Sequence, residues 1–398
     1  MNSRFAFLFS EPVAYPPSVH NIKCYYVSKE LVKRGDLVAW IQLGRERLRS
    51  SADGLEIITI PSFVTNRATD YLSIIRMVLH CLARRIQVAY IDEWLFFRER
   101  PTKRLALIVG LRIAGVKAVL DQRDPFIDFE IASGWISTNS VQLRRFQSRQ
   151  LILQRLTNLL VLPSKAYADL LASEGVPQEK LLGTFRGVDT DLFNANQDAD
   201  HVRTSLGLGN KFVIGWFGLM HPYRLIKEVM VPLIEDISRV MPDAHFVIGG
   251  EGPLRDEFDK LLKKGGLPLS LVGMVAYDVL PSYISACNVL LCPVDSRLRF
   301  SNYSAWLKIA ESLAIGRPII ASKTMIAQTD FKDLKGVVWV PPTLEGFMNG
   351  LREVRDCYPR YLSLAQGQAS NFESYSTKKT LVAVADRLES LADGSARS

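Results

Sequence analysis

The chain is short of cysteine, has no long hydrophobic run and, over its first 155 residues, is short of acid. Five scattered cysteines (Cys24, Cys81, Cys287, Cys292, Cys357) contain no CxxC pair and leave one odd. Neither a disulfide framework nor a zinc site is expected, and a reducing cytoplasm accounts for such usage. No apolar run reaches the ~18 residues that a membrane span needs. Leu105–Leu120 comes closest and is broken by Arg112 and Lys117. The opening MNSRFAFLFSEP holds only a short apolar run before Ser10 and Glu11, which suits a buried strand rather than a signal-peptide core. No tandem repeat is present, and low complexity is confined to the terminal Gly-Ser-Ala-Arg-Ser.

The shortage of acid is local. Residues 1–155 carry 23 Lys and Arg against 14 Asp and Glu, whereas residues 156–398 carry 26 against 27. The net charge of +8 therefore resides in the N-terminal part. Arg45/Arg47/Arg49, Arg84/Arg85, Arg98/Arg100/Lys103/Arg104 and Arg144/Arg145/Arg149 form basic clusters there. Such a face suits nucleic acid, an anionic membrane or a phosphate-bearing substrate, the plain alternative being solvated helices. The segment Glu93–Arg100 adds Trp94, Leu95, Phe96 and Phe97 beside basic residues, as at a membrane headgroup boundary.

What the chain has in quantity is alternation. Phe5–Phe9, Leu37–Ile41, Ile57–Ile60, Val88–Ile91, Ala118–Leu120 and Leu159–Leu162 read as strands, with helices over Asn21–Arg34 and Tyr71–Arg84. After the polar stretch Asn194–Asp200 the pattern restarts with Phe212–Trp216, His245–Ile248, Ser270–Val272, Val289–Cys292, Ile319–Ala321 and Val337–Val340. At 398 residues the chain exceeds the usual single core of about 250–300. Two doubly wound, Rossmann-like α/β domains facing a cleft are expected, residues 1–190 and 205–374. The helical 375–398, with no strand after it, is expected to pack back on the first.

Four segments of the second half carry chemistry. Phe217-Gly218 through His221 and Arg224 places a glycine turn and a cation at a strand end. Gly249-Gly250-Glu251-Gly252-Pro253 follows the next strand and enters a helix at proline. Its glycines admit close backbone approach, although Arg255 replaces the third glycine of a dinucleotide fingerprint. Leu271–Val275 includes Gly273 and Met274. The stretch KIAESLAIGRPIIAS (308–322) sets Lys308 and Glu311 on one helix face. Ser301, Asn302 and Ser304 stand before it as candidate caps and Gly316 ends it. A helix whose start faces a cleft binds anions such as a nucleotide diphosphate.

In this order and spacing the four segments resemble the donor half of the family-4 glycosyltransferases of GT-B fold. Leu162-Pro163-Ser164, Gly175-Val176-Pro177 and the characteristic GVDTDLF (187–193) strengthen the resemblance. It implies a metal-independent cytoplasmic enzyme, peripheral on the inner membrane face. Such an enzyme transfers a sugar from a nucleotide-diphosphate donor, with retention, to a glycan or lipid-linked acceptor in cell-surface polysaccharide synthesis. No cofactor and no nucleic-acid partner are implied. The implied donor-binding residues are Gly218, His221, Arg224, Gly250, Glu251, Gly252, Met274, Ser304, Lys308 and Glu311, with Glu311 on the ribose and Arg224 on the diphosphate.

The resemblance has departures. Leu219 stands where a second cation is usual, and Tyr303 where a first glutamate is. The usual catalytic histidine before aspartate is Arg123-Asp124, and the usual Gly-Gly is Pro17-Ser18-Val19-His20. Arg123, Asp124 and His20 are the catalytic candidates, and Arg123, His20, His221 or Lys227 would supply the missing function. The rivals are an epimerase of the same fold, using Asp121 or Asp124 as base, and a binding subunit without turnover.

Overall fold

The structure, a computed structural model, describes residues 2–9, 22–61, 67–92, 95, 101–122, 124–125, 128, 131 and 141–394. It forms two compact units. The first comprises Met1–Ile127, Ile136–Arg186 and Thr377–Ser398, the second Asp128–Trp135 and Gly187–Ser376. Against the expected spans 1–190 and 205–374, the division falls at Arg186/Gly187 and Ser376/Thr377. The polar stretch 194–200 is a surface turn of the second unit rather than a boundary. Phe193 before it is fully buried, its ring centroid 5.1 Å from that of Tyr277. Arg203 beyond it donates to the Ala286 carbonyl at 2.7 Å.

The first unit is built on an eight-stranded sheet: β1 (Arg4–Phe9), β2 (Leu37–Gly44), β3 (Leu48–Ala52), β4 (Leu55–Pro61), β5 (Val88–Ile91), β6 (Lys117–Asp121), β7 (Leu159–Leu162) and β8 (Leu181–Gly183), in the order 3-4-2-1-5-6-7-8. Central β1 pairs in parallel with β2 and β5, so it is covered on both faces and reads as a continuous apolar run. Phe7 meets Tyr90 and Phe9 meets Trp40, with ring centroids about 5 Å apart. The pairing of β3 with β4 is antiparallel. This edge hairpin was not expected, because LRSSA is polar and exposed. Its turn, Asp53-Gly54 with φ of 49° and 79°, is the two-residue turn that joins such strands.

The C-terminal segment belongs to the first unit, as expected. Leu381, Val384, Ala385, Leu388 and Leu391 share a core with Val27 and Leu31 of the helix Ile22–Lys33. Arg34 bridges to Asp386 at 2.7 Å and Glu389 at 2.6 Å.

The second unit holds a six-stranded parallel sheet: β9 (Phe212–Phe217), β10 (Ala244–Gly249), β11 (Leu269–Gly273), β12 (Val289–Cys292), β13 (Ile319–Ser322) and β14 (Val337–Val340), in the order 11-10-9-12-13-14. The winding leaves β9 toward β10 on one side and resumes at β12 on the other. The carboxyl ends of β9 and β12 therefore form the switch point, where ligands of such sheets bind. The end of β9 runs directly into the segment Phe217–Arg224, and β12 leads through residues 293–298 to the helices Arg299–Tyr303 and Leu307–Ala314.

Candidate active site

At the switch point of the second unit, backbone meets backbone. After β9 and β10 the loops are laced by Gly218 N–H donating to the Gly249 carbonyl at 2.9 Å, and Met220 N–H to the Glu251 carbonyl at 2.8 Å. Gly250 N–H reaches across to the Gly273 carbonyl at 2.6 Å. A side chain at Gly250 would put its first carbon 1.9 Å from the Gly218 carbonyl oxygen. Glycine is required there because no other residue lets the loops close. At Gly252 the same carbon would lie 2.6 Å from the Met220 carbonyl oxygen.

Arg224 and Lys308 converge on this strand end. The chain passes from β9 through the short turn Pro222–Arg224, and Arg224 is buried at 8% exposure. Its guanidinium lies 4.2 Å over the Trp306 ring and 5.3 Å over that of Tyr223. Neither its Nε nor its Nη1 has a hydrogen-bond partner among the described residues. Lys308, on the helix Leu307–Ala314, donates from Nζ to the Phe217 carbonyl at 2.7 Å and lies 5.0 Å over Trp216. A methyl group at Gly218 would approach that Nζ to 2.6 Å, so this glycine makes room for the ammonium. Burial, then the nearby Arg224 charge, pushes Lys308 down to about 7, with Cys292 and Glu311 opposing. Among the described residues no carboxylate forms an ion pair with either cation. A buried guanidinium and a half-buried ammonium set together in this way make a candidate anion site.

Glu311 lies one turn on from Lys308 and is buried at 8% exposure. His221 stacks on Tyr223 with ring centroids 4.6 Å apart, and its Nδ1 is buried without a hydrogen-bond partner among the described residues. Burial, then Arg224, lowers its pKa, so its ring is neutral at pH 7. Tyr223 and Trp306 lie near-parallel with ring centroids 6.3 Å apart, and Phe300 meets both edge-on, so the three form an aromatic cluster beside the guanidinium. None of the three stood out in the sequence. The available signal was an aromatic residue one or two positions from each of the cations Arg224 and Lys308.

The caps differ from expectation. Ser301 and Asn302 lie in a separate short helix, Arg299–Tyr303, and the cap of the Lys308 helix is Trp306, with no side-chain bond. Asn302 Oδ1 instead accepts from Met325 N–H at 2.8 Å. Ser304, buried at 1% exposure, links the two helices, and Gly316 ends the second with φ of 81°. Glu251 is turned away from the cations, accepting from Arg255 at 2.6 Å. Met274 is 71% exposed beyond β11. Lys227 is half exposed and pairs with Glu257 at 3.4 Å.

In the first unit, His20 and Arg123 lie outside the described residues, as do Trp94, Phe96 and Phe97. Asp124 is half-buried, its carbonyl accepting from Gln122 at 3.4 Å. Asp121 at the end of β6 is fully buried and held by the buried Lys23 at 2.7 Å, which closes it to use as an exposed base. Lys103 and Arg104 are buried too, so that basic cluster is in part interior.

Residues 211–354, the segment carrying Arg224, Lys308 and Glu311, match the model of the glycosyl transferases group 1 family. The chain is 24% identical over 207 residues to the sulfoquinovosyl transferase SQD2 of Arabidopsis thaliana, covering 50% of this chain and 38% of that protein. It is 23% identical over 194 residues to the alpha-D-kanosaminyltransferase of Streptomyces kanamyceticus, covering 46% and 47%. The alignments thus span less than half of either relative. The crystal structure of Anabaena HepE in complex with UDP superposes with a TM-score of 0.69 at 15% identity, covering 97% of this chain and 100% of that one. The fold is that of the GT-B glycosyltransferases: two Rossmann-like units, each with a mostly parallel sheet.

Proposed function

We propose that the protein is a retaining, metal-independent glycosyltransferase. It would move a sugar from a nucleoside-diphosphate donor to a glycan or lipid-linked acceptor, in the cytoplasm and at the inner membrane face. One observation carries this reading: two cations, buried Arg224 and half-buried Lys308, stand without an ion-pair partner among the described residues at the switch point of the second unit, beside buried Glu311. The match of this segment to the group 1 family, the transferase names of both relatives and the UDP held by HepE support it.

The chemistry follows from the charges. As the bond from the sugar to the diphosphate breaks, negative charge grows on the departing oxygen. A guanidinium and an ammonium already fixed in a dry setting stabilise that charge without reorganisation. Arg224 suits bidentate phosphate contact, and Lys308 supplies a point charge. Glu311 accepts hydrogen bonds from the ribose hydroxyls. Neutral His221, beside Arg224, offers a donor or acceptor to the sugar or phosphate. The rival epimerase reading is disfavoured by Asp121, since a base neutralised by a buried lysine is poorly placed to take a sugar proton.

Incubation with a panel of nucleotide sugars and candidate acceptors, with products analysed by chromatography and NMR, tests this. Release of nucleoside diphosphate together with an acceptor-linked sugar of the donor's anomeric configuration is expected. An epimerised donor, or binding of donor without turnover, would replace the reading by one of its rivals.

A further inference from the structure

We propose that the outer face of three helices in the first unit, Arg67–Ala83, Pro101–Ile113 and Val141–Leu156, docks on an anionic lipid bilayer. The inference rests on the membrane-face reading above and deepens it by naming the surface.

The helix Arg67–Ala83 is apolar on the wrong side. Its inner face is filled by Ile74, Met77 and Cys81, all buried. Its outer face shows Tyr71, Leu72, Ile75, Leu79 and Leu82, each between 44% and 54% exposed. The steps from Leu72 to Ile75, Leu79 and Leu82 are three, four and three residues, so the four form one stripe. Between Tyr71 and Ala83 the one charged residue is Arg76, half-buried and donating to the Pro61 carbonyl at 3.0 Å. A surface helix of a soluble domain normally carries its charges where this one carries leucine.

The stripe continues onto its neighbour. Gly110 packs so tightly on Val78 that a methyl group there would lie 3.0 Å from the Val78 side chain. Beyond that contact Val109 and Ile113 are exposed, Ile113 at 84%. The third helix shows Val141 and Ile152 to solvent, interleaved with exposed Arg144 and Arg155.

Charge selects the occupant. The three helices carry two, three and four Lys or Arg respectively, against the single acid Asp70; Lys103 and Arg104 among them are buried, whereas Arg112, Arg144 and Arg155 are exposed. This is where the basic surplus of the chain is concentrated. A second copy packed by two-fold symmetry would set this cationic face against itself. Nucleic acid would leave the leucine stripe in water. An anionic bilayer answers both features, taking the stripe into the boundary between headgroups and acyl chains while phosphates meet Arg112, Arg144 and Arg155.

Flotation of the full chain with phosphatidylcholine vesicles, with and without phosphatidylglycerol, tests the proposal, with UDP binding by calorimetry run in parallel. The protein should float with the anionic vesicles and be released toward 1 M salt, where the Debye length is ~3 Å. Leu79→Glu should lower vesicle binding at least tenfold with UDP binding unchanged. Ile113→Glu, at a more exposed position, should act likewise and serves if Leu79→Glu does not fold. Wild-type protein that stays soluble with both vesicle types at low salt overturns the docking face, and intact UDP binding then leaves the donor site standing. Flotation without UDP binding supports the docking face and counts against the donor reading. A discrete dimer in sedimentation velocity that Leu79→Glu disperses assigns the face to a second copy and also overturns the proposal.

Discussion

Buried Arg224 and half-buried Lys308 repel each other, an arrangement that costs stability in the unliganded protein. The cost is visible in Lys308, which titrates near 7 instead of 10.5 because burial and then Arg224 disfavour its charge. The lowered value means that the unfolded chain holds this proton longer, so the unliganded protein gains stability as pH rises from about 7 toward 10.5. Ligand binding runs the other way. A bound diphosphate favours the ammonium, so affinity should be full below pH 7 and fall by up to tenfold per unit above it, with a proton taken up on binding. Calorimetry of UDP binding in buffers of different ionisation enthalpy reads that uptake directly, and a pH-independent affinity would remove Lys308 from the site. For Glu311, replacement by Ala should weaken nucleotide binding by about 1.5–3 kcal/mol for each charged hydrogen bond lost. The same titration checks it, and an unchanged affinity would dismiss the ribose assignment.

The elements that present these side chains were legible in uneven measure. Four strands, Val88–Ile91, Leu159–Leu162, Val289–Cys292 and Val337–Val340, have the bounds that their apolar runs indicated, because buried parallel strands are written as short blocks of Val, Leu and Ile. The hairpin strand Leu48–Ala52 escaped notice because an exposed edge strand has no such block, although its Asp-Gly turn was in plain view. The start of the Lys308 helix was misplaced for a related reason. Serines and an asparagine mark helix starts only statistically, and here a second short helix claims two of them. The aromatic cluster about Arg224 joins residues from separate segments, and spacing along one chain does not report such a meeting. Among the loops, Gly250 is the tightest point. Gly250→Ala should cost about 1–3 kcal/mol by forcing the two laced loops apart. A thermal melt checks this, and an unchanged melting temperature would mean that the loops yield freely.

Across the whole molecule, two mostly parallel sheets organise the chain, with the charge surplus on one unit and the two cations Arg224 and Lys308 in the other. On the proposed reading, in which Arg224 and Lys308 neutralise the departing diphosphate, turnover should survive a chelator. Activity abolished by chelation and restored by magnesium would contradict that. The central claim is that these two cations hold a nucleoside diphosphate, and it is tested most directly by titrating UDP and GDP into the wild-type chain and Arg224→Ala under one set of conditions. The account predicts saturable one-site binding of at least one nucleotide to the wild type, weakened at least tenfold in Arg224→Ala, since one charged contact is worth more than ~1.4 kcal/mol. Equal affinity of both proteins for the nucleotide would contradict it.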